Sequence, residues 1–251
     1  MTGSLEERFQ NLHEFVTQAR TNLNRNNWDY LIGGSETETY FVVGRDSSST
    51  GEVIDWGALT AYVAAALEPK KFLSLTTLAI PHMRRGLSGV TGVPVQLFKS
   101  SYILLMQLPK ISEMIVGRDN LAFVETLWKR WSPSWHYSGE EIEQVKTTFR
   151  QPGVVHATTQ YYRCLLSPLS LSAQQSWSLL TSRLSVPLLA MAGENDGCMD
   201  ARLYEHVMQA QDFEQGLSVH VLPGVGHFLH RENPADVNAL ILDWLTQHGT
   251  A

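Results

Sequence analysis

Apolar residues recur at helical spacing near the start of the chain. The apolar positions follow one another at intervals of three or four residues: Leu5, Phe9, Leu12, Val16, Ala19 and Leu23. The four residues Ser4-Leu5-Glu6-Glu7 have the form of a helix capping box. The pattern predicts a helix over residues 4–24 whose apolar stripe packs against another part of the protein.

From Val53 onward, short apolar runs alternate with segments of helical periodicity. Strands are predicted at residues 53–54, 72–82, 187–193 and 217–224, and helices at 58–67, 200–212 and 234–247. Strands that alternate with helices are typical of a parallel sheet in an α/β fold.

The pattern divides the chain into three parts. Residues 94–185 are helical and rich in aromatic residues, which predicts an insertion between two strands of one sheet. A Ser- and Gly-rich stretch, GRDSSSTGE, follows Val43 and suggests a boundary near residue 45. We therefore expect an N-terminal helical segment (1–45), a core (46–93 with 186–251) and a helical cap (94–185).

Composition narrows the functional classes. The chain has 43% hydrophobic and 18% charged residues and a formal net charge of −6, without the basic cluster that nucleic acid binding requires. No apolar stretch approaches the ~20 residues of a membrane helix. Cys164 and Cys198 have neither metal-ligand nor redox-motif spacing, so we expect two reduced thiols and a cytoplasmic protein.

Three polar residues stand where predicted strands end. Asp55 follows the first strand, Asp196 follows the strand at 187–193, and His227 follows the strand at 217–224. Catalytic groups of open α/β sheets collect at this carboxyl edge. The order nucleophile, acid, histidine is that of hydrolases with a nucleophile elbow, a sharp strand-to-helix turn. A carboxylate at the elbow forms an ester at an alkyl carbon, which a histidine-activated water hydrolyses.

Each of these residues also has a structural interpretation. Asp55 precedes a helix and fits an N-cap, and Asp196 in Asn-Asp-Gly fits a turn. The placement of all three at strand ends, in this order, favours the catalytic interpretation.

Residues 53–247 resemble the α/β-hydrolase superfamily, and within it the epoxide hydrolases and haloalkane dehalogenases with an aspartate nucleophile. Three segments carry the resemblance: DWGALTAYVAAALEPKKFLSLTTLAIPH, VPLLAMAGENDGCMD and GVGHFLHRENPADVNALILDWL. The resemblance implies a partial α/β-hydrolase fold with a helical cap and without the family's N-terminal strands. It also implies Asp55 as nucleophile, Asp196 as acid and His227 as base.

The resemblance further implies two epoxide-activating tyrosines in the cap. Tyr102 and Tyr162 fall at the matching places, and Tyr161 is the alternative if the register slips by one. Such phenols donate to the epoxide oxygen and protonate it as the ring opens. The structural alternative is that both tyrosines only pack the cap.

A dehalogenase would need a second halide donor beside Trp56. Three tryptophans leave this alternative open: Trp128, Trp131 and Trp135. His82 also matches the family pattern and is expected to shape its loop. We expect His220 on the polar face of its strand and His230 on the surface.

The sequence departs from the family pattern just before the nucleophile. Val53-Ile54 replace Gly-His, and the His-Gly-x-Pro motif that supplies part of the oxyanion hole does not occur. The Trp56 amide is then the remaining donor, and loss of one donor costs on the order of 10²- to 10³-fold in rate.

Residues 10–40 resemble the N-terminal segment of the FMN-dependent α-hydroxy acid oxidases and dehydrogenases. Their barrel is absent, so we expect no flavin or other cofactor, no metal, and a fusion of two unrelated pieces.

The strand at 53–54 would have an open edge unless a strand such as TYFVV (39–43) covers it, which predicts marginal stability or self-association. We expect a small hydrophobic epoxide as substrate; the alternative from another class is a non-catalytic remnant.

Overall fold

The computed structural model describes residues 42–44, 53–167 and 171–248. The predicted helix at 4–24 lies outside the described residues, as does the segment 10–40 with its flavoprotein resemblance. Across the described residues, every helix is too short or too polar to cross a membrane.

The described strands form one sheet around a parallel core. The strands are β1 (Val42–Gly44), β2 (Val53–Ile54), β3 (Phe72–Leu78), β4 (Leu188–Gly193) and β5 (Leu217–Leu222). Strands β2, β3, β4 and β5 lie side by side in this order and pair in parallel, while β1 pairs antiparallel with β3.

Two strands share one edge of β3. Strand β1 pairs with residues 72–75 of β3, and β2 pairs with Thr77 and Leu78. The predicted strand at 39–43 therefore has a counterpart at Val42–Gly44, but it extends the first half of β3 and does not pair with β2. The outer edge of β2 has no strand partner among the described residues.

The helices follow the predicted alternation. They are α1 (Trp56–Leu67), α2 (Gly86–Gly92), α3 (Val95–Lys99), α4 (Tyr102–Met106), α5 (Ile111–Gly117), α6 (Ala122–Trp131), α7 (Gly139–Phe149), α8 (Val154–Leu165), α9 (Leu171–Leu180), α10 (Arg202–Val207), α11 (Leu229–Glu232) and α12 (Pro234–His248). Short 3₁₀ turns lie at Pro69–Lys71, Met83–Arg85, Asp119–Leu121 and Ala210–Asp212.

Strand β4 is buried on both faces and separates two apolar clusters. Leu188, Ala190 and Ala192 face a cluster that includes residues of α1, α9 and α10. Leu189 and Met191 face the opposite cluster, which includes residues of α12. Because successive side chains of a strand point to opposite faces, the continuous apolar run LLAMAG produces this two-sided burial.

The helical segment between β3 and β4 has its own apolar cluster. Its buried members are Met106, Val116, Leu121, Val124, Ile142, Val145 and Tyr162, contributed by helices α4 to α8 and the turn before α6. The exposed Lys70 and Lys71 lie in a 3₁₀ turn away from this cluster. The proposed division of the chain into core and cap stays a prediction.

Three predicted boundaries are wrong in detail. Strand β3 ends at Leu78 because Ala79 adopts a left-handed backbone with φ 64°. Helix α1 begins at Trp56, two residues before the prediction, and the helix predicted at 200–212 is α10 followed by a 3₁₀ turn.

Candidate active site

Asp55 occupies a strained turn between β2 and α1. Its backbone has φ 53° and ψ −121°, angles of the first central position of a type II′ turn, where glycine dominates. Its N–H donates to the Leu78 carbonyl, 3.4 Å away, which fixes the turn to β3. The side chain makes no capping hydrogen bond to α1. Asp55 therefore occupies the N-cap position of α1 but does not cap the helix through its side chain, and its carboxylate lies at the carboxyl edge of the sheet.

The carboxyl of Asp55 lies among other ionisable groups. Burial raises its pKa above the usual range, the positive charge of His227 opposes this shift, and Asp196 reinforces it. The charges of His227 and Asp196 therefore act on Asp55, so the three side chains predicted from strand ends lie within electrostatic range of one another.

Asp196 is held by the loop after β4. One carboxylate oxygen accepts the backbone N–H groups of Cys198 and Met199, at 2.6 and 2.9 Å. The other oxygen lies 2.8 Å from Nδ1 of His227. With only 1% of its surface exposed, Asp196 is a buried acid whose two oxygens have fixed partners.

His227 is fully buried beside Asp196. Since the carboxylate oxygen accepts, Nδ1 donates, which leaves Nε2 as the basic nitrogen of the neutral ring. That Nε2 makes no hydrogen bond with any described residue. Burial alone would lower the pKa of His227, but Asp196, with Asp55 and Glu232, raises it above the ordinary value.

The end of α6 connects the acid loop to the histidine loop. The Trp131 carbonyl accepts the N–H groups of Gly197 and His227, at 3.0 and 3.1 Å. The buried Ser132 hydroxyl accepts the Phe228 N–H at 3.1 Å. These contacts were not predictable from the sequence, because they use a backbone carbonyl and a serine with no motif around it.

Helix α3 supports the acid loop from another side. The buried Gln96 amide donates to the Cys198 carbonyl at 2.9 Å and accepts the Asp200 N–H at 2.8 Å. Lys99 donates to the Asp196 carbonyl at 2.6 Å and pairs with Asp200 at 3.1 Å. Neither residue was predicted, since the contacts join positions about a hundred residues apart.

The two predicted tyrosines, Tyr102 and Tyr162, lie near Asp55. The rings of Tyr102 and Tyr162 make an edge contact with centroids 5.7 Å apart, and Trp56 contacts Tyr162 at 5.0 Å. Burial raises the pKa of both phenols, and the charge of Asp55 adds to the increase in each. Tyr161 also contacts the Trp56 ring, with centroids 5.2 Å apart. Tyr162 contacts the Tyr102 ring, and the charge of Asp55 acts on its hydroxyl.

Two apolar cavities share a border formed by Asp55, Trp56 and Tyr162. One, of about 140 Å³, is lined by helical-segment residues that include Trp128, Trp131 and Phe149. The other, of about 230 Å³, is lined by residues that include Leu59, His82 and Trp177. Asp55 borders both, so a bound molecule in either cavity has access to the carboxylate.

The Trp56 amide begins α1 directly after the nucleophile position. The first N–H groups of a helix have no acceptor within the helix, so this amide is a donor directly beside Asp55. Val53 and Ile54, which replace the family's Gly-His, form β2 immediately before it.

The sequence also led to predictions for three other histidines, His82, His220 and His230. His82 is 1% exposed, and burial lowers its pKa to about 4. Its Nδ1 accepts the Arg84 N–H at the start of a 3₁₀ turn, as expected for a residue that shapes its loop. His220 contacts Ser218 on β5. His230 is half-buried, with its Nδ1 enclosed, so the expected surface position is wrong.

Both cysteines are free thiols, Cys164 exposed and Cys198 buried. Cys198 lies 3.7 Å from the Tyr102 hydroxyl, and burial raises the pKa of its thiol. Asp196, Cys198 and His227 offer ligand atoms within 4.8 Å of one another, a spacing that a metal ion could use. The carboxylate oxygens are already bonded to two backbone amides and to His227, and a neutral thiol is a poor ligand, so the donor set fits an acid–histidine pair better.

The chain resembles proteins named as epoxide hydrolases. Epoxide hydrolase 3 of Xenopus tropicalis is 27% identical over 201 residues, which cover 77% of this chain and 51% of the frog protein. The AB hydrolase superfamily protein YfhM of Bacillus subtilis (strain 168) is 27% identical over 191 residues, 76% of this chain and 63% of YfhM. The chain thus spans between half and two thirds of the length of these relatives. No family model matches it.

Solved structures show the same fold. The epoxide hydrolase of Bacillus megaterium, in complex with an inhibitor, superposes with a TM-score of 0.65 at 18% identity, over 98% of this chain and 78% of that chain. The described core therefore has the α/β-hydrolase fold, in partial form. These relatives and structures give no support to the predicted resemblance of residues 10–40 to flavin oxidases.

Proposed function

We propose that this chain is a hydrolase of the epoxide hydrolase type, which opens an epoxide to a diol through an ester on Asp55. The observation that supports the proposal is the strained turn that leaves the Asp55 carboxylate without a capping bond, within electrostatic range of the buried, hydrogen-bonded pair Asp196–His227. The named relatives support the same reaction class.

In the first step, the Asp55 carboxylate attacks an epoxide carbon and the carbon–oxygen bond of the ring breaks. The released oxygen takes a proton from Tyr102 or Tyr162. Both phenols are protonated at neutral pH, because burial raises the pKa of each. The pair can therefore donate hydrogen bonds to the epoxide oxygen throughout the step.

In the second step, Nε2 of His227 takes a proton from water, and the resulting hydroxide attacks the ester carbonyl of Asp55. Asp196 stabilises the imidazolium that forms, and the Trp56 N–H donates to the oxyanion. The intermediate releases the diol and restores the Asp55 carboxylate. The proton on His227 returns to the tyrosinate, so the cycle balances.

The substrate we propose is a small hydrophobic epoxide. The two cavities are lined mainly by apolar and aromatic side chains, and the polar groups converge near Asp55. The groups in the proposed cycle belong to the chain itself, so the proposal requires neither metal nor organic cofactor. We also propose that the protein is cytoplasmic and that it self-associates through an open sheet edge, as the sequence predicts.

The test is a turnover experiment in ¹⁸O-water with an aryl epoxide. We expect diol formation and ¹⁸O in the Asp55 carboxylate after repeated turnover, since each ester hydrolysis exchanges one oxygen. Asp55→Ala should abolish diol formation. Unchanged turnover in Asp55→Ala would reject the proposed nucleophile, and neither label nor diol in the unaltered protein would favour the non-catalytic remnant.

A haloalkane dehalogenase activity is the second candidate. Trp131 Nε1 is buried without a hydrogen-bond partner among the described residues and borders the same cavity as Trp56. Two such indole donors could hold a halide. The ring of Trp56 packs edge-on against Tyr162, with centroids 5.0 Å apart, which weakens this alternative. Halide release from a haloalkane without diol formation from epoxides would favour it.

A further inference from the structure

Glu232 joins the histidine loop to the segment after α6. Its Oε2 accepts the Gly226 N–H at 2.9 Å and the Ser134 hydroxyl at 3.2 Å. Its Oε1 is buried and makes no hydrogen bond with any described residue. The carboxylate therefore binds the Val225–Gly226 peptide group, one peptide before the one that carries the His227 N–H.

The histidine loop is tightly enclosed at Gly226. A Cβ at this position would lie 2.6 Å from Ser132 Cα and 2.9 Å from Glu232 Oε1. The loop thus fits between Ser132 and Glu232 only with a glycine, and its position depends on both.

Several charged or titratable groups surround His227. Asp196 comes from the loop after β4, Asp55 from the turn after β2, and Glu232 and His230 from α11. Asp196 makes the direct hydrogen bond, while Glu232 acts on the imidazole at longer range and without contact. Its negative charge favours the protonated ring, the state that forms when His227 takes a proton from water.

We propose that Glu232 is a positioning residue for His227, which holds the Val225–Gly226 peptide of the histidine loop and adds a further negative charge near the imidazole. The first role needs an acceptor oxygen and the second needs a charge, so a glutamine separates them. The kinetic consequence rests on the proposed function, whereas the effect on the imidazole does not.

The experiment compares Glu232→Gln with the unaltered chain by NMR titration of the His227 ring, whose signal is assigned by its loss in His227→Gln. The amide oxygen of glutamine can still accept from Gly226 and Ser134. We expect the pKa of His227 to fall in Glu232→Gln, because the ring loses a stabilising charge. Where turnover is observed, the acid limb of kcat should move to lower pH and the maximal kcat should fall several-fold.

Glu141→Gln is the charge-matched control. Glu141 lies on α7 and pairs with Arg231, the neighbour of Glu232 on α11. Glu141 makes no hydrogen bond to the histidine loop. We expect it to leave the His227 titration unchanged.

An unchanged His227 pKa in folded Glu232→Gln would overturn the inference, as would an equal fall in Glu141→Gln. A fall confined to Glu232→Gln, in a chain that forms no diol, would support the inference while rejecting the proposed function.

Discussion

At the residue scale, Asp55 holds a backbone conformation that side-chain-bearing residues rarely adopt. Strain of this kind costs on the order of 1–3 kcal/mol and persists where the surroundings over-determine it. Here the Leu78 carbonyl, β2 and the start of α1 fix the turn from both sides. The strained turn places the Asp55 carboxylate at the carboxyl edge of the sheet.

We predict that Asp55→Gly is more stable than Asp55→Ala. Glycine adopts φ 53° and ψ −121° without steric cost, whereas alanine keeps the Cβ that opposes this conformation. After the entropy cost of glycine in the unfolded chain, the difference should be about 1 kcal/mol in the free energy of unfolding. Urea denaturation measures it, and both variants should be inactive.

The alanine variant is the control, since both variants remove the same buried carboxylate. If Asp55→Ala equals or exceeds Asp55→Gly in stability, the turn stores no strain.

The sequence could identify Asp55, Asp196 and His227, because each stands just after a run with strand character. It could not identify Trp131, Ser132 or Glu232 as contacts of the loops that carry Asp196 and His227. Trp131 acts through its carbonyl, which every residue has, and Glu232 acts on a peptide six residues away, inside a motif of ordinary appearance. Backbone partners of this kind leave no residue-type signal.

At the element scale, the end of α6 is the structural link between the helical segment and the two catalytic loops. Gly197, in the acid loop, approaches α6 so closely that a Cβ would lie 1.8 Å from the Arg130 carbonyl oxygen. Its N–H donates to the Trp131 carbonyl, which also accepts from His227. Displacement of α6 by an added methyl group would therefore disturb Asp196 and His227 together.

We predict that Gly197→Ala lowers the free energy of unfolding by about 1–3 kcal/mol, as overpacking against backbone does. It should also reduce any epoxide turnover, because the acid and histidine loops lose their common acceptor. Thermal unfolding and steady-state kinetics measure the two effects.

Gly139→Ala is the matched control, since a Cβ at the start of α7 meets nothing within 4 Å. Alanine favours helix there by up to about 1 kcal/mol. Equal behaviour of the two variants would show that α6 and the acid loop move freely relative to each other.

At the scale of the whole molecule, alternation of apolar runs and helices was enough to predict a parallel sheet, and β2, β3, β4 and β5 pair in parallel. The helical segment between β3 and β4 was predicted for the same reason. The pairing of β1 was not predictable, because three residues of β character fit any open edge. Its antiparallel position beside Phe72–Leu75 depends on contacts that local sequence does not encode.

The uncovered edge of β2 leads to the last prediction, which is self-association in solution. Asp55 N–H points to β3, and alternate N–H groups of a strand point to opposite edges, so the Ile54 N–H points away from β3. A donor without a strand partner at an edge of the described sheet is a template for pairing with a second chain. Sedimentation velocity over a wide range of concentrations should show reversible association, and Ile54→Pro, which removes that donor, should weaken it.

Val221→Lys changes an exposed residue of the opposite edge strand, β5, and should leave association unchanged. A monomer at every concentration would contradict the prediction, and loss of association in Val221→Lys would assign it to β5.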